Sequence, residues 1–411
     1  MTGLRRVLYI DLAASVGGSV ISLYELVKGL DRGRYEPHVV LRATNPYLAR
    51  FRELGVVVTP LGQEGTPAQD EQKLVARARR GGLAQWLKRN PAGERLVHLV
   101  GFYVRSYPSL CREAQALERI LRAVRPDLVH VNDVICVSRA AIMATRKVGL
   151  PALCHLRALA ERSHFDRWLS RSLKGFICIS QAVQRHERGL GGRTEPSWVV
   201  YNGLDLADFD QVEDDTLERA KLGFGPEEQV VGCIGRLIAW KGQRVFLRAL
   251  GRLAPHRPSL RGLIVGGSEA GETAYAQELA ELVRQLGLEG KVTFAGFRRD
   301  VPCILRAMDV LVHASTAPEP FGRVIIEGMA AGRPVIGADG GAVPEIIEDK
   351  VTGLLVPPGD ERALAEAIAW VLDHPQERKA MCLAARRAVE IRFTTEQYVR
   401  GVESVYEELF R

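Results

Sequence analysis

The chain has 411 residues, 46% hydrophobic and 26% charged, an ordinary globular mix long enough for two domains and unlike a disordered or fibrous chain. Seven scattered cysteines with no CxxC spacing read as buried reduced thiols rather than a disulfide framework or a zinc site, so a cytoplasmic protein is expected. The net charge of +7 suits an anionic ligand or surface, but no basic stripe interleaved with aromatics and no nucleic-acid-binding motif accompanies it.

Taken in order, short β-branched runs alternate with longer helical patterns, the signature of βαβ units and parallel sheets. Arg5-Arg6 before VLYI imitates a signal peptide, yet Asp11 interrupts the apolar run, and a first strand ending at Asp11 is the better reading. A helix over Ser19–Leu30 follows, with Ser19 as its cap. Further strands are predicted at His38–Leu41, Val56–Pro60, Asp127–Val131, Ala152–Leu156 and Phe176–Ser180. The second half repeats the style, with strands at Val230–Ile234, Leu263–Val265, Val292–Gly296, Val310–Ala314, Pro334–Ala338 and Gly353–Pro357. Helices are predicted between them at Gln243–Leu253, Tyr275–Leu286 and Ala363–Leu372, and a last helix at Thr395–Phe410. The Gly- and Pro-rich stretch GLGGRTEPS sets the domain boundary, giving 1–195, 196–392 and a terminal helix over 393–411. The fold class is α/β with two doubly wound Rossmann-like domains.

Five features bear on chemistry. PEPFGRVIIEGMAAGRPVIG, residues 318–337, runs from a loop with Glu319 into a helix that starts near Gly322, carries Glu327 and stops near Gly332. The amides of Gly322, Arg323 and Val324 at its start suit a phosphate. Glu319 and Glu327 lie about 12 Å apart if helical throughout, too far to share one scissile bond. The plain alternative is an i,i+4 pair between Arg323 and Glu327. VVGCIGRLIAWKG places Arg236 and Lys241 in the loop after a buried strand, the edge where ligands bind in open α/β sheets. Together they can neutralise a diphosphate, although the loop is neither a GxGxxG fingerprint nor a Walker loop. Gly17-Gly18 after the first strand lets backbone approach a ligand closely. Asn132-Asp133 and His155 with Arg157 sit at the C-terminal ends of two predicted strands of the first domain, facing the same edge. The one DxD, Asp208-Phe209-Asp210, does not end a strand as a diphosphate-bound metal would want, so no metal and no cofactor are expected.

Together, VVYNGLDLADF, GRLIAWKG, VTFAGF, EPFGRVIIEGMAAGRPVI, GGAVPEII and TGLLVPPGD resemble glycosyltransferase family four, the retaining group with the GT-B fold. The resemblance extends, more loosely, to GGS, DLVHVND and ICISQAV in the first half. It implies an enzyme with its active site in a cleft between the domains. Arg236 and Lys241 would hold the donor's diphosphate, Glu327 the ribose and Glu319 the sugar. The backbone near Phe297 and Arg298 would meet the base, with Phe321 and its neighbours in the donor site. Gly17 and Gly18 would approach the diphosphate or the acceptor. Asn132, Asp133, His155 and Arg157 are acceptor-side candidates, and HVN departs here from the family's common HxH. The implied partners are a nucleotide-sugar, UDP first and GDP next, and a glycan or lipid-linked acceptor. A GT-B epimerase and a lapsed, non-catalytic relative are the alternatives.

Residues 65–125 carry twelve Lys or Arg against five Asp or Glu, with Trp86 and aliphatic residues between them. Such a segment suits an anionic bilayer surface, and the protein would then work peripherally at the inner face of the membrane. The plain alternative is a helical insertion packed on the first domain.

Overall fold

The computed structural model describes residues 3–13, 17–62, 107–192, 194–210, 215–267 and 274–411. Most of the basic segment therefore lies outside the described residues. From it, the helix Tyr107–Val124 is seen, burying Ala114, Leu117 and Leu121. No helix among the described residues is long and apolar enough to cross a membrane. All seven cysteines are free thiols, and Cys154, Cys178 and Cys233 are buried.

The chain divides into two compact units, Met1–Ile177 with Arg188–Ser197, and Cys178–Glu187 with Trp198–Arg411. The last helix, Thr395–Leu409, groups with the second unit. There its Gly401 lies against Val200, and Glu408 accepts from the Trp198 indole at 2.9 Å.

The first sheet contains β1 (Arg5–Asp11), β2 (Tyr35–Arg42), β3 (Val57–Leu61), β4 (Leu128–Asn132), β5 (Ala152–Leu156), β6 (Gly175–Cys178) and β7 (Ser197–Val199). Its order is β3-β2-β1-β4-β5-β6-β7. β1 runs parallel to both β2 and β4, with Asp11 level with Asn132. β1 is buried from Val7 to Asp11 because both faces are covered, which is why its sequence is a continuous apolar run rather than an alternating one. The helix after it, Gly18–Gly29, starts one residue earlier than expected. Gly17 is its cap and no side chain bonds the first turn, so Ser19 lies inside the helix instead of capping it.

The second sheet contains β8 (Gln229–Ile234), β9 (Leu260–Val265), β10 (Val292–Phe294), β11 (Val310–His313), β12 (Val335–Ala338) and β13 (Leu354–Val356), in the order β10-β9-β8-β11-β12-β13. All its paired strands are parallel. The helix Gln243–Leu253 buries Phe246, Leu247, Ala249 and Leu250 against this sheet. Each large side chain among them contributes roughly 1.5–3 kcal/mol by leaving water. Both sheets reverse their winding once, between β1 and β4 and between β8 and β11. The crevice at the carboxyl ends of such a strand pair is where open α/β sheets bind ligands.

Candidate active site at the carboxyl ends of β8 and β11

β8 ends at Ile234, and its chain turns through Gly235 and Arg236 into a single 3-10 turn, Ala239–Lys241. Gly242 closes that turn with φ 74°, and a Cβ there would collide with the Ala314 carbonyl oxygen. A glycine is therefore required for both conformation and space. Gln243 is fully buried and donates to the Arg236 carbonyl at 2.9 Å, while the Tyr275 hydroxyl bonds its Oε1 at 3.2 Å. The loop is stitched to the segment after β11 as well, because Thr316 donates its amide to the Trp240 carbonyl at 2.8 Å.

The two cations of this loop differ in state. Arg236 is exposed, and its side chain makes no hydrogen bond or ion pair with the described residues. Lys241 is folded in: its Nζ lies 2.7 Å from Glu319 Oε2 and 4.4 Å from the Trp240 ring centroid. Glu319 is 6% exposed, and its Oε2 also meets His313 Nε2 at 2.9 Å and Ser315 Oγ at 3.0 Å. Burial would raise the pKa of Glu319. The His313 hydrogen bond and the Lys241 charge outweigh it and hold the carboxyl at about 2. Its backbone is fixed by Ala342, whose amide donates to the Glu319 carbonyl at 2.8 Å. Neighbouring Gly341, at φ 65°, leaves no room for a Cβ against that same carbonyl.

Gly322, at φ 93°, is the cap of the helix Arg323–Ala330, and no side chain bonds the first turn. The helix ends with Gly332 at φ 67°, its amide bonded to Met329 and that of Arg333 to Gly328, the paired pattern of a glycine-terminated helix. Only Glu327 of the two glutamates lies in the helix. It pairs with Arg323 at 3.4 Å, the i,i+4 contact expected as the plain alternative, and Arg323 also reaches the Gly203 carbonyl at 3.3 Å. The Phe321 ring is buried with Tyr201 and Phe393 at centroid distances of 6.2 and 6.1 Å, so its side chain is packing. Phe297 is 65% exposed. Arg298 instead bonds Glu218 at 2.8 Å and pairs with Asp300, which together raise its pKa. Asp210 of the DxD sits in the short helix Ala207–Asp210 and accepts from Arg386 at 2.6 Å.

The carboxyl ends of β1, β4 and β5 hold the other candidates. Asn132 is fully buried: its Nδ2 donates to Asp11 Oδ2 at 2.7 Å and to the Ser19 carbonyl at 3.3 Å, and its Oδ1 accepts from Arg157 Nε at 2.9 Å. His155 is equally buried, with Nδ1 3.1 Å from His130 Nε2. Burial, and secondarily the Arg157 charge, push both imidazoles well below their usual range, so both are neutral. Neither the Asn132 amide nor the His155 ring is presented to solvent. Asp133 departs from that pattern, being partly exposed, with φ 106°. Burial, with a smaller push from Asp11, raises its pKa to about 6. Gly17 and Gly18 stand at the start of the first helix beside this group, with Gly18 exposed.

Sequence reasoning missed Asp11, His313, Ser315 and Gln243. The signal for Asp11 was present, a carboxylate at the end of a predicted central strand. His313 and Ser315 were hidden in the apolar pattern VLVHAS.

Two family models cover most of the chain: Glycosyltransferase Family 4 over residues 16–208 and Glycosyl transferases group 1 over residues 214–388. The lipopolysaccharide core biosynthesis mannosyltransferase LpcC of Rhizobium leguminosarum bv. viciae is 30% identical over 270 residues, 65% of this chain and 74% of that protein. LpsB of Rhizobium meliloti, also a lipopolysaccharide core biosynthesis mannosyltransferase, is 32% identical over 53% of this chain and 62% of its own length. The D-inositol 3-phosphate glycosyltransferase of Mycobacterium sp. strain JLS is 32% identical over 63% of this chain, which spans only 56% of that protein. Among solved structures, Anabaena Alr3699/HepE in complex with UDP and glucose superimposes with a TM-score of 0.78 at 27% identity, covering 98% of this chain and 99% of that one. The two parallel α/β sheets are those of the GT-B architecture, and the chain belongs to glycosyltransferase family 4.

Proposed function

We propose that this protein transfers a sugar from a nucleotide-sugar to a glycan or lipid-linked acceptor, with retention at the anomeric carbon and without a metal. The observation that carries the reading is the exposed, unpaired Arg236 beside the Lys241–Glu319 pair, at the switch point of the second sheet. Breaking a glycosyl–phosphate bond leaves negative charge on the diphosphate. Arg236, Lys241 and the uncapped first turn at 322–324 are the groups that would stabilise it. Glu319 would take a sugar hydroxyl, and Glu327 the ribose.

UDP is the preferred nucleotide, because the HepE structure holds UDP and glucose and a second one holds UDP-glucose. The mannosyltransferase names of LpcC and LpsB favour a mannosyl donor as the second choice. Retention and metal independence rest on the family resemblance and on the position of the lone DxD. The basic composition of residues 65–125 supports work at an anionic membrane surface.

A thermal-shift panel of UDP-, GDP-, ADP- and dTDP-sugars tests the donor, since a ligand that binds only the folded state raises the melting temperature. The selected donor, incubated in EDTA with acceptor mixtures and anionic liposomes, should yield a product of unchanged anomeric configuration by NMR. No shift with any nucleotide-sugar would end the reading. A shift without turnover would favour the non-catalytic alternative.

A further inference from the structure

Three donors converge on Glu319, and all three reach the same oxygen. Lys241 Nζ, His313 Nε2 and Ser315 Oγ lie 2.7, 2.9 and 3.0 Å from Oε2. Oε1 has no hydrogen-bond partner among the described residues. A carboxylate oxygen with three donors is saturated, so a further donor must go to Oε1. Lys241 alone would not produce this asymmetry, because a flexible ammonium can follow either oxygen of a turning carboxylate. His313 cannot follow. It ends β11 level with Gly337 of β12 and is 4% exposed, so its backbone is held in the sheet and its ring has little room to move.

The imidazole's own state agrees with this role. Its Nδ1 is buried and has no hydrogen-bond partner among the described residues. With the proton on Nε2, the ring donates to Glu319 and leaves a lone pair on Nδ1. With the proton on Nδ1, an unpaired N–H would be buried and the bond to Glu319 lost, a costlier arrangement.

We propose that His313, assisted by Ser315, is a positioning residue that holds Glu319 with Oε2 turned inward and Oε1 offered to a hydroxyl of the donor sugar. The inference rests on the transferase reading for the identity of the ligand. Its physical content is that His313 determines sugar recognition while leaving nucleotide recognition to Arg236 and the helix start.

The experiment uses the full chain and whichever of UDP-glucose or GDP-mannose the donor panel selects, with UDP or GDP as the matching diphosphate. In His313→Leu, calorimetry should show diphosphate affinity within about twofold of wild type and donor affinity reduced at least about tenfold. Turnover should fall by a similar factor or more. His313→Gln, whose amide can donate from nearly the same place, should recover most of both, and Ser315→Ala should lose only about threefold. Equal losses of diphosphate and donor binding in folded His313→Leu would overturn the inference, as would wild-type donor affinity in that variant. Imidazole 15N NMR supplies a check that needs no ligand. It should show Nε2 of His313 carrying the proton shared with Glu319, and a ring protonated at Nδ1 alone would overturn the inference whatever the donor is. If wild type binds no nucleotide-sugar while the tautomer is as expected, the transferase reading fails and the carboxylate geometry stands.

Discussion

At the carboxyl end of β8 an arginine is exposed with no partner among the described residues, while at the carboxyl end of β4 an asparagine is sealed between Asp11 and Arg157. The two sheets share the strand order that makes a switch point, and both concentrate polar residues there. They differ in what those residues have left to give. In the second sheet Arg236, Glu319 Oε1 and the uncapped turn at Gly322 keep hydrogen-bonding capacity that no side chain among the described residues uses. In the first sheet Asn132 uses both its donors and its acceptor on the protein, and His130 and His155 bond each other. Polar residues at the carboxyl edges of these sheets thus divide into those with hydrogen-bonding capacity to spare and those that hold the edge together.

The largest expected effect lies in the second sheet, where it separates two cations that look alike in the sequence. Arg236→Ala should lower turnover about 100-fold or more, about 2–4 kcal/mol of barrier, with an unchanged melting temperature. Lys241→Ala should lose as much turnover and also stability, because it leaves the buried Glu319 carboxylate without its cation. Full burial of such a charge costs about 3–5 kcal/mol; with the Lys241 side chain 19% exposed, about 1–3 kcal/mol is expected. Identical melting temperatures for the two variants would erase the distinction.

Asn132→Leu breaks the first sheet's network. It removes the partner of Asp11 Oδ2 and of Arg157 Nε in a fully buried setting, so a loss of about 2–4 kcal/mol in urea unfolding is expected. Diphosphate affinity should stay near wild type, since the residues assigned to it belong to the other unit. A variant as stable as wild type would show that the network contributes specificity rather than stability.

The smallest effect concerns Asp133. Its folded-state pKa is raised from 3.8 to about 6, chiefly by burial, so the stability it contributes is complete below pH 3.8 and lost as pH rises through about 6. At pH 7.5 the ionised carboxylate is a cost on the order of 1–3 kcal/mol. Asp133→Asn keeps the acceptor that takes the Val134 amide at 2.7 Å, and asparagine tolerates positive φ better than most residues. The variant should therefore melt higher than wild type at pH 7.5, and the gap should close near pH 4. A constant gap across that range would remove titration as its cause.

The strands were legible because a parallel sheet covered on both faces needs continuous apolar runs, and such runs stand out in LYI, LVHV and VVGCI. The helix start at Gly17 was less so. Ser19 has the chemistry of a cap, but Gly17 occupies that place, leaving Ser19 inside the helix with its carbonyl accepting from Asn132. Of the candidate site, Arg236, Lys241 and Glu319 were singled out by motif and strand-end position. The states of Asn132 and His155 were not, because a polar residue at a strand end reads the same whether it faces solvent or a buried neighbour.

The sequence by itself determined two doubly wound α/β sheets, the family, and a pair of cations, Arg236 and Lys241, in the loop after β8. These follow from periodicity, glycine placement and residue type, all local along the chain. Only the tertiary structure decided that Lys241 is already paired, that Glu319 offers a single oxygen, and that Asn132 is sealed. Each depends on contacts across long stretches of chain, 78 residues for Lys241 with Glu319 and 121 for Asn132 with Asp11. Whether a polar group is spent or available is set by the neighbours that folding brings to it, and linear spacing carries no record of them.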